Sequence, residues 1–191
     1  MDDVLFESER LYYRMPVIDD AKAMQKIKEA NWAELQRWMN WSSDGQYDMD
    51  ATTVFIRDIV AQDHRKGGCL MFAFHKQTHD LVMIGGLNAT NEKDVYSTGY
   101  WGNVDYLGQG YATEKTMATL QYAFNVLGAK RVDIVYYDGN EASRRVIEKC
   151  GFEFVKTLPK NHKCHADGQL MDEHCYAMTR DQWMEKNILK T

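Results

Sequence analysis

The sequence predicts an α/β protein built on a mixed, twisted sheet of about six or seven strands with helices on both faces. Three observations support this fold class. Strand-like runs follow one another closely over residues 69–103, helical runs lie before and after them, and one strand is followed by a helix and then another strand. With 191 residues, 45% of them hydrophobic, the chain is expected to form one domain over residues 1–191.

The first part of the chain is predicted to contain one strand followed by helices. Residues 11–15 alternate between hydrophobic and polar side chains as a strand does. A helix is expected near residues 20–30, where alanine and isoleucine recur three and four positions apart. A polar loop over residues 42–48 then leads to a helix over about residues 50–65.

Three tryptophans lie close together between these helical runs, in the segment NWAELQRWMNW. They are Trp32, Trp38 and Trp41. Tryptophans in such a segment either wall a ligand cleft or pack a second helix onto the sheet, and the sequence leaves both interpretations open. We keep all three as candidate substrate-binding residues.

The middle of the chain predicts an antiparallel meander followed by a parallel crossover. The runs at residues 69–75, 81–89 and 95–103 are joined by short polar connections, which is typical of antiparallel neighbours. A helical run over residues 113–127 and a strand over residues 131–137 follow. A strand, helix and strand joined this closely are expected to pair in parallel with right-handed connectivity.

The last part of the chain predicts two more strands and two more helices. A helix over residues 141–150 precedes a strand over residues 153–158. Pro159 is expected to end that strand and to open a polar loop. The final strand, over residues 171–179, is followed by a short helix over residues 180–189.

One junction carries a possible binding function. The stretch GYWGNVDYLGQGYATEK, residues 99–115, ends a strand with Gly108 and Gly110 and then begins a helix. Glycines let backbone N–H groups face one point, and a helix N-terminus adds further N–H groups and a positive dipole end. The junction therefore predicts a phosphate cradle, although an ordinary strand-to-helix turn uses the same residues.

Charge and composition exclude some classes of function. The net charge of −5 and the short cationic runs argue against a nucleic-acid partner, whereas a basic or amine-bearing substrate would be attracted. No hydrophobic run approaches the roughly 20 residues of a membrane span, and the acidic start does not resemble a secretory signal. We expect a cytoplasmic protein without a membrane partner.

The cysteines and histidines predict neither disulfides nor a metal. In a chain without a secretory signal, Cys69, Cys150, Cys164 and Cys175 are expected to be free thiols. Metal-capable side chains do cluster near the end, at His162, Cys164, His165, His174 and Cys175. Their spacing matches no familiar zinc pattern, and adjacent residues of a strand face opposite ways.

Four segments together resemble a known family. They are GYWGNVDYLGQGYATE, NEASRRVIEKCGFE, NWAELQRWMNW and GQLMDEHCYAMTRDQW. In this order and spacing the chain resembles the GNAT superfamily of acetyl-CoA-dependent N-acetyltransferases, in the branch of the ribosomal-protein acetyltransferases RimJ and RimL. The resemblance implies the GNAT fold, with the parallel strand pair splayed at the CoA site.

The resemblance also implies acetyl-CoA as cosubstrate, no metal, and a monomer or homodimer. The acceptor is expected to be a protein N-terminal amine. A small amine such as an aminoglycoside or polyamine is the alternative within the same chemistry. A non-catalytic CoA-binding regulatory module is the alternative from another class.

The cofactor residues follow from the resemblance. In the family, loop N–H groups hold the CoA pyrophosphate and a strand edge pairs with the pantetheine arm. The matching positions are Gly102, Asn103 and Val104 for the arm, Leu107, Gly108, Gln109, Gly110, Tyr111, Ala112 and Thr113 for the pyrophosphate, and Asn140 for the arm again. Leu107 and Gln109 stand where many members carry polar or cationic residues, so the loop itself is neutral.

Catalytic residues are assigned by the same resemblance. Ser143 matches the proposed acid of similar members, although a hydroxyl at a helix N-terminus also serves its own backbone. His162 lies near the position of a base carboxylate, and histidine is a residue type suited to that role near neutral pH; a solvated loop histidine is the alternative. Asp105 is a second candidate base, or a residue that orders the loop. Tyr176, in the last strand, also matches a family position and is expected to be a structural or substrate-cleft residue.

Overall fold

A computed structural model describes residues 4–61 and 68–188. The described residues form a sheet of eight strands with the order β1-β2-β3-β4-β5-β6-β8-β7. The strands are β1 Val4–Glu7, β2 Leu11–Arg14, β3 Gly68–His75, β4 Leu81–Ala89, β5 Val95–Gly102, β6 Arg131–Tyr137, β7 Glu153–Lys163 and β8 Leu170–Thr179. The helices are α1 Ala21–Trp38, α2 Met49–Ala61, α3 Tyr111–Asn125, α4 Glu141–Cys150 and α5 Arg180–Ile188.

The strand pairing confirms the predicted meander and crossover. β3, β4 and β5 pair antiparallel in succession, and β5 pairs in parallel with β6. The parallel register runs from Val95↔Arg131 to Thr98↔Ile134. From Gly99 onward none of the described strands pairs with β5 on this side, so β5 and β6 separate there.

Helices cover both faces of the sheet, as the sequence predicts. α1 and α2 pack on one face, where Met24, Ile27 and Ile56 meet Phe72 and Ile84 of the sheet. The other face carries α3, α4 and α5. Its core residues include Leu87, Leu120, Phe124, Ile147, Met178 and Trp183. This two-sided packing fixes the helix ends that surround the gap between β5 and β6.

Two strand predictions were wrong at the edges of the sheet. β1 was missed because it is only four residues long and is mostly exposed. β7 does not end at Pro159 but continues to Lys163. The reason is its edge position: a proline without an N–H is tolerated there, and the register shifts between Leu158 and His162. The N–H of Lys160, in that bulge, donates to Asp172 Oδ1 (2.9 Å).

The first helices also differ from the prediction. α1 is one continuous helix that includes Trp32 and Trp38, rather than a helix followed by a separate tryptophan segment. Trp41 lies in the loop that follows it. α2 is described to Ala61, and its predicted continuation to Arg65 lies outside the described residues.

Candidate active site

A cleft of about 630 Å³ opens where β5 and β6 separate. Its walls come from the free end of β5, the end of β6, the N-terminal turns of α3 and α4, and the C-terminal half of α1. The short parallel register creates this cleft, because a longer pairing would close it. Most of the predicted site residues lie around it.

The N-terminus of α3 is the most distinctive wall. Gly108 (φ +73°) and Gly110 (φ +85°) have left-handed backbones, which place the turn before Tyr111. The first helical hydrogen bond runs from the N–H of Glu114 to the carbonyl of Gly110 (3.0 Å). In the described part of the chain, the six backbone N–H groups of residues 108–113 have no protein acceptor. An anion such as a pyrophosphate fits this row of donors.

Arg10, which was not predicted from the sequence, stabilises this turn without lining the cleft. Its Nε donates to Glu114 Oε2 (2.7 Å), and its Nη1 donates to the carbonyl of Gln109 (2.9 Å). The guanidinium also lies 3.9 Å from the ring centroid of Tyr111. No local signal reveals this contact, because Arg10 and Glu114 are 104 residues apart.

Two further cations come from α4. Arg145 and Lys149 line the cleft and are exposed. They are four residues apart and therefore share one face of the helix. The neutral loop predicted from Leu107 and Gln109 is thus accompanied by side-chain cations from another element. That spacing was visible in the sequence and could have identified them.

The free edge of β5 offers backbone groups to a ligand. The N–H of Asn103 donates to Val82 on β4 (2.9 Å), so by strand alternation Tyr100 and Gly102 turn their backbone groups toward the open side. The carbonyl of Gly102 is occupied by Asn31 Nδ2 (2.7 Å), and Asn31 is buried. Of the predicted arm residues, Gly102 lines the cleft, whereas Asn103 and Val104 do not.

Ser143 and Tyr100 bring two hydroxyl groups together at the cleft. Asn140 caps α4 by accepting the N–H of Ser143 (3.1 Å), and all three residues line the cleft. Ser143 Oγ and the Tyr100 hydroxyl are 3.4 Å apart. Burial is the largest cause that raises the pKa of Tyr100 to about 12, so the phenol stays protonated at neutral pH. Ser143 and Asn140 were predicted from the sequence, whereas Tyr100 was not.

His162 lies outside the lining of the cleft. Its side chain is 1% exposed, with Nδ1 2.7 Å from Asn40 Oδ1 and Nε2 3.0 Å from the carbonyl oxygen of Arg37. Its ring stacks on Tyr137 at 3.7 Å, and Tyr137 does line the cleft. With both nitrogens engaged, the imidazole fastens β7 to the end of α1 and presents no free nitrogen to a substrate.

Asp105 and Gln109 order the loop through main-chain contacts. Asp105 donates its N–H to Asn103 Oδ1 (3.1 Å) and accepts from Gln109 Nε2 at its carbonyl (3.0 Å). Both side chains are exposed, and neither residue lines the cleft. The placement of Asp105 matches the loop-ordering alternative of the sequence analysis. The other predicted pyrophosphate residues, Leu107, Gly108, Gly110, Tyr111, Ala112 and Thr113, all line the cleft.

The predicted substrate aromatics lie in different environments. Trp38 lines the cleft and donates from Nε1 to Glu34 Oε2 (2.9 Å). Trp41 packs against Trp101, with ring centroids 5.7 Å apart. Trp32 and Tyr176 do not line the cleft: Trp32 packs on Tyr47 (5.0 Å), and Tyr176 packs between Phe154 and Tyr136 (5.5 and 5.9 Å).

Glu34 is a cleft residue that the sequence analysis missed. Among the described residues that line the cleft, it is the only one with a carboxylate. Elsewhere in the described chain, no group of three or more acidic, cysteine or histidine side chains could hold a metal ion. None of the described helices is long and hydrophobic enough to cross a membrane.

The splayed strand pair, the glycine turn and the two hydroxyl groups define an acyltransferase of the GNAT fold. Residues 10–153 match the family described as "Acetyltransferase (GNAT) domain". This match covers more than half of the chain, so the protein belongs to the GNAT acetyltransferase family.

Curated relatives and solved structures agree with this assignment. The chain is 30% identical over 92 residues to the uncharacterized N-acetyltransferase YnaD of Bacillus subtilis, which is 46% of this chain and about half (51%) of that protein. It is 25% identical over 177 residues to the uncharacterized N-acetyltransferase YoaA of the same organism, which is 92% of this chain and 97% of that protein. The fold resembles RimL, a ribosomal alpha-N-protein acetyltransferase solved with coenzyme A, at a TM-score of 0.82 and 20% identity over 94% of this chain and 99% of that chain.

Proposed function

We propose that the protein transfers an acetyl group from acetyl-CoA to a protein N-terminal α-amine, by direct attack in a ternary complex. The observation that carries the proposal is the row of six N–H groups at residues 108–113, beside the cleft, which have no acceptor among the described residues. A pyrophosphate-bearing cosubstrate matches these donors. Arg145 and Lys149 of α4 add positive charge to the lining of the same cleft.

The residues of the cleft divide the work of the reaction. Bound acetyl-CoA supplies an acetyl group activated as a thioester. The open backbone edge at Tyr100 and Gly102 provides N–H donors for the carbonyl oxygen as negative charge develops on it. The hydroxyl groups of Ser143 and Tyr100 donate hydrogen bonds to the departing sulfur. Ser143 passes its proton to that sulfur and regains one from the proton that the nitrogen loses as the amide forms.

The need to remove a proton from the acceptor amine favours an N-terminal α-amine as the acceptor. An α-amine has a pKa of about 8, whereas a lysine or polyamine nitrogen has a pKa of about 10. The α-amine therefore loses its proton near neutral pH without a strong base, and the described residues that line the cleft include no histidine. Glu34 provides one carboxylate that holds the amine and passes its proton to water.

The alternative acceptors fit less well. A polyamine or aminoglycoside carries several cationic groups, and Glu34 is the single carboxylate among the described lining residues. A non-catalytic CoA-binding module would not need the paired hydroxyl groups of Ser143 and Tyr100. The name of the similar RimL structure, which refers to a ribosomal alpha-N-protein substrate, supports the N-terminal acceptor.

The cellular setting follows from the thiols. All four cysteines are free, and three of them are buried. Free thiols suit a reducing compartment, so the proposed location of the reaction is the cytoplasm. The proposal further includes no nucleic-acid or membrane partner, and a protein that is a monomer or homodimer.

The test is acetyl-CoA turnover with detection of the released thiol. The acceptors are a panel of N-terminal peptides, an aminoglycoside and a polyamine. We expect thiol release with peptides and transfer to the α-amine, located by mass spectrometry. Binding of acetyl-CoA without thiol release on any amine would refute the enzyme function, and transfer only to the small polycations would refute the N-terminal acceptor.

A further inference from the structure

A second cavity lies beside the cleft, on the face of the sheet that carries α1 and α2. Its volume is about 310 Å³, at the lower end of the range of about 300–1,000 Å³ for small-molecule sites. Large hydrophobic side chains form much of its wall, namely Met24, Met39, Trp41, Phe55, Ile84 and Trp101. A cavity of this size and lining suits one bulky, hydrophobic side chain.

The two cavities adjoin each other. Both are lined by Met39 and by residues 99–101 of β5. Beyond Thr98, no strand in the described part of the chain pairs with β5 on its β6 side, so this edge is open. A group at the cleft and a group in the second cavity can therefore belong to the same residue of a ligand, since an α-amine and its side chain are joined through one carbon atom.

The wall formed by the α1–α2 loop is fixed by buried polar contacts. Lys28, 2% exposed, donates from Nζ to the carbonyls of Gln46 and Asp48 and to Thr52 Oγ1. Ser42 donates from Oγ to the carbonyl of Leu35 (2.8 Å), which holds the start of the loop against α1. The cavity is thus preorganised rather than formed by a loose surface segment.

The charges at this cavity disfavour a cationic or anionic side chain. Its lining, among the residues that the structure describes, contains no carboxylate. Lys28 is the only lysine, arginine or acidic residue among the described lining residues. Its amine already donates to three protein acceptors, and burial lowers the pKa of Lys28. A positively charged guest would lack a counter-ion, and an acidic guest would lose its hydration without a free partner.

We propose that this cavity receives the side chain of the acceptor's first residue, and that the enzyme prefers peptides beginning with a large hydrophobic residue. The inference rests on the proposed N-terminal acetyltransferase function and adds the class of its substrate. Burying such a side chain is expected to raise kcat/KM about 10- to 100-fold over alanine or serine.

The experiment uses peptides that differ only in their first residue: phenylalanine, leucine, alanine, serine, lysine and glutamate. The protein is assayed with acetyl-CoA, and kcat/KM is measured for each peptide. A free arylalkylamine, 2-phenylethylamine, is included as an acceptor without a peptide backbone. We expect phenylalanine and leucine peptides to react fastest, and the free amine to react at least 10-fold more slowly.

Adjacent residues of α2 provide a matched pair of variants. Phe55 lines the cavity and is 37% exposed, whereas Val54 is 50% exposed and does not line it. Phe55→Asp is expected to lower kcat/KM for the phenylalanine peptide about 10-fold or more and to narrow its advantage over the lysine peptide. Val54→Asp is expected to leave both values unchanged. If Phe55→Asp does not fold, Phe55→Ser serves instead.

The outcomes separate this inference from the function on which it rests. Absence of transfer to every amine, with acetyl-CoA still bound, overturns the proposed function. Transfer that favours peptides beginning with alanine, serine or a charged residue overturns only the proposed preference for a large hydrophobic first residue. Equal rates with 2-phenylethylamine and the phenylalanine peptide, or equal effects of Phe55→Asp and Val54→Asp, overturn it as well.

Discussion

The two sides of the cleft are constructed differently. On the α3 side, the site consists of backbone N–H groups released by Gly108 and Gly110, and the turn is largely exposed. On the α1 side, buried polar side chains behind the cleft hold α1, the α1–α2 loop and β7 together, among them Lys28, Ser42 and His162. The first region binds with its main chain, whereas the second uses side chains to fix its shape.

This difference indicates where each region is sensitive to mutation. A backbone cradle depends on a few φ angles, so its failures should appear as weaker binding of the cosubstrate. A wall held by buried polar groups depends on satisfied hydrogen bonds, so its failures should appear first as lost stability. The four predictions below test this contrast, from the largest expected effect to the smallest.

The largest effect is expected for His162→Ala. The substitution removes a buried ring stacked on Tyr137 and leaves Asn40 and the Arg37 carbonyl without their partner. We expect a loss of about 3 kcal/mol in the free energy of unfolding, measured by denaturant titration. His165→Ala, at an exposed neighbouring histidine, is the control. Unchanged stability together with a kcat lowered 100-fold or more would instead support His162 as the catalytic base.

Next is Ser143→Ala, which tests the chemical step. It removes the hydroxyl expected to protonate the leaving sulfur, and kcat should fall about 100-fold, with stability and acetyl-CoA affinity nearly unchanged. Tyr100→Phe removes the neighbouring hydroxyl and should lower kcat by a smaller factor. Because the two oxygens are 3.4 Å apart, the double variant should show a non-additive loss. Additive losses, or full activity of Ser143→Ala, would contradict the paired role.

A third prediction concerns Lys115, which is fully buried on α3 and donates to the carbonyl of Gly99 (3.2 Å). The pKa of Lys115 is lowered from 10.5 in the unfolded chain to about 7 in the folded protein, and burial is the largest cause. Between these values the unfolded chain holds a proton that the folded chain has lost, so stability rises with pH. From pH 7 to 9 the rise due to Lys115 should be about 2 kcal/mol.

Lys115→Met should remove that rise. The measurement is the free energy of unfolding at pH 7, 8 and 9, with the pH slope of the variant subtracted from that of the unaltered protein. Lys22→Met, at an exposed lysine of α1, should keep the original slope. A parallel pH dependence for Lys115→Met would show that Lys115 stays charged in the folded protein.

The smallest effect is expected for Gly110→Ala. A side chain at φ +85° costs about 1–2 kcal/mol, and relief of that strain turns the first N–H groups of α3 away from the ligand. The KM for acetyl-CoA should rise about 10-fold, while the KM for the peptide acceptor changes little. Gly45→Ala, where an added Cβ meets nothing within 4 Å, is the control. An equal rise in both KM values would argue against a local effect on the cosubstrate.

Much of the fold and half of the site follow from local sequence patterns. The meander, the crossover and the two-sided helices depend on hydrophobic period and short connections, both of which are readable along the chain. The glycine turn and the Asn140 cap are local as well: Asn140 and Ser143 are three residues apart. The strand prediction that failed at Pro159 did so because an edge position relaxed the usual rule.

The contacts that complete the site were decided by the tertiary structure alone. Tyr100 and Ser143 are 43 residues apart, and His162 and Asn40 are 122 residues apart. No periodicity links such positions, because their contact depends on how helices pack on the sheet and where β5 and β6 separate. The sequence by itself determined a backbone cradle after a strand. Packing decided which hydroxyl groups, carboxylate and hydrophobic walls surround it.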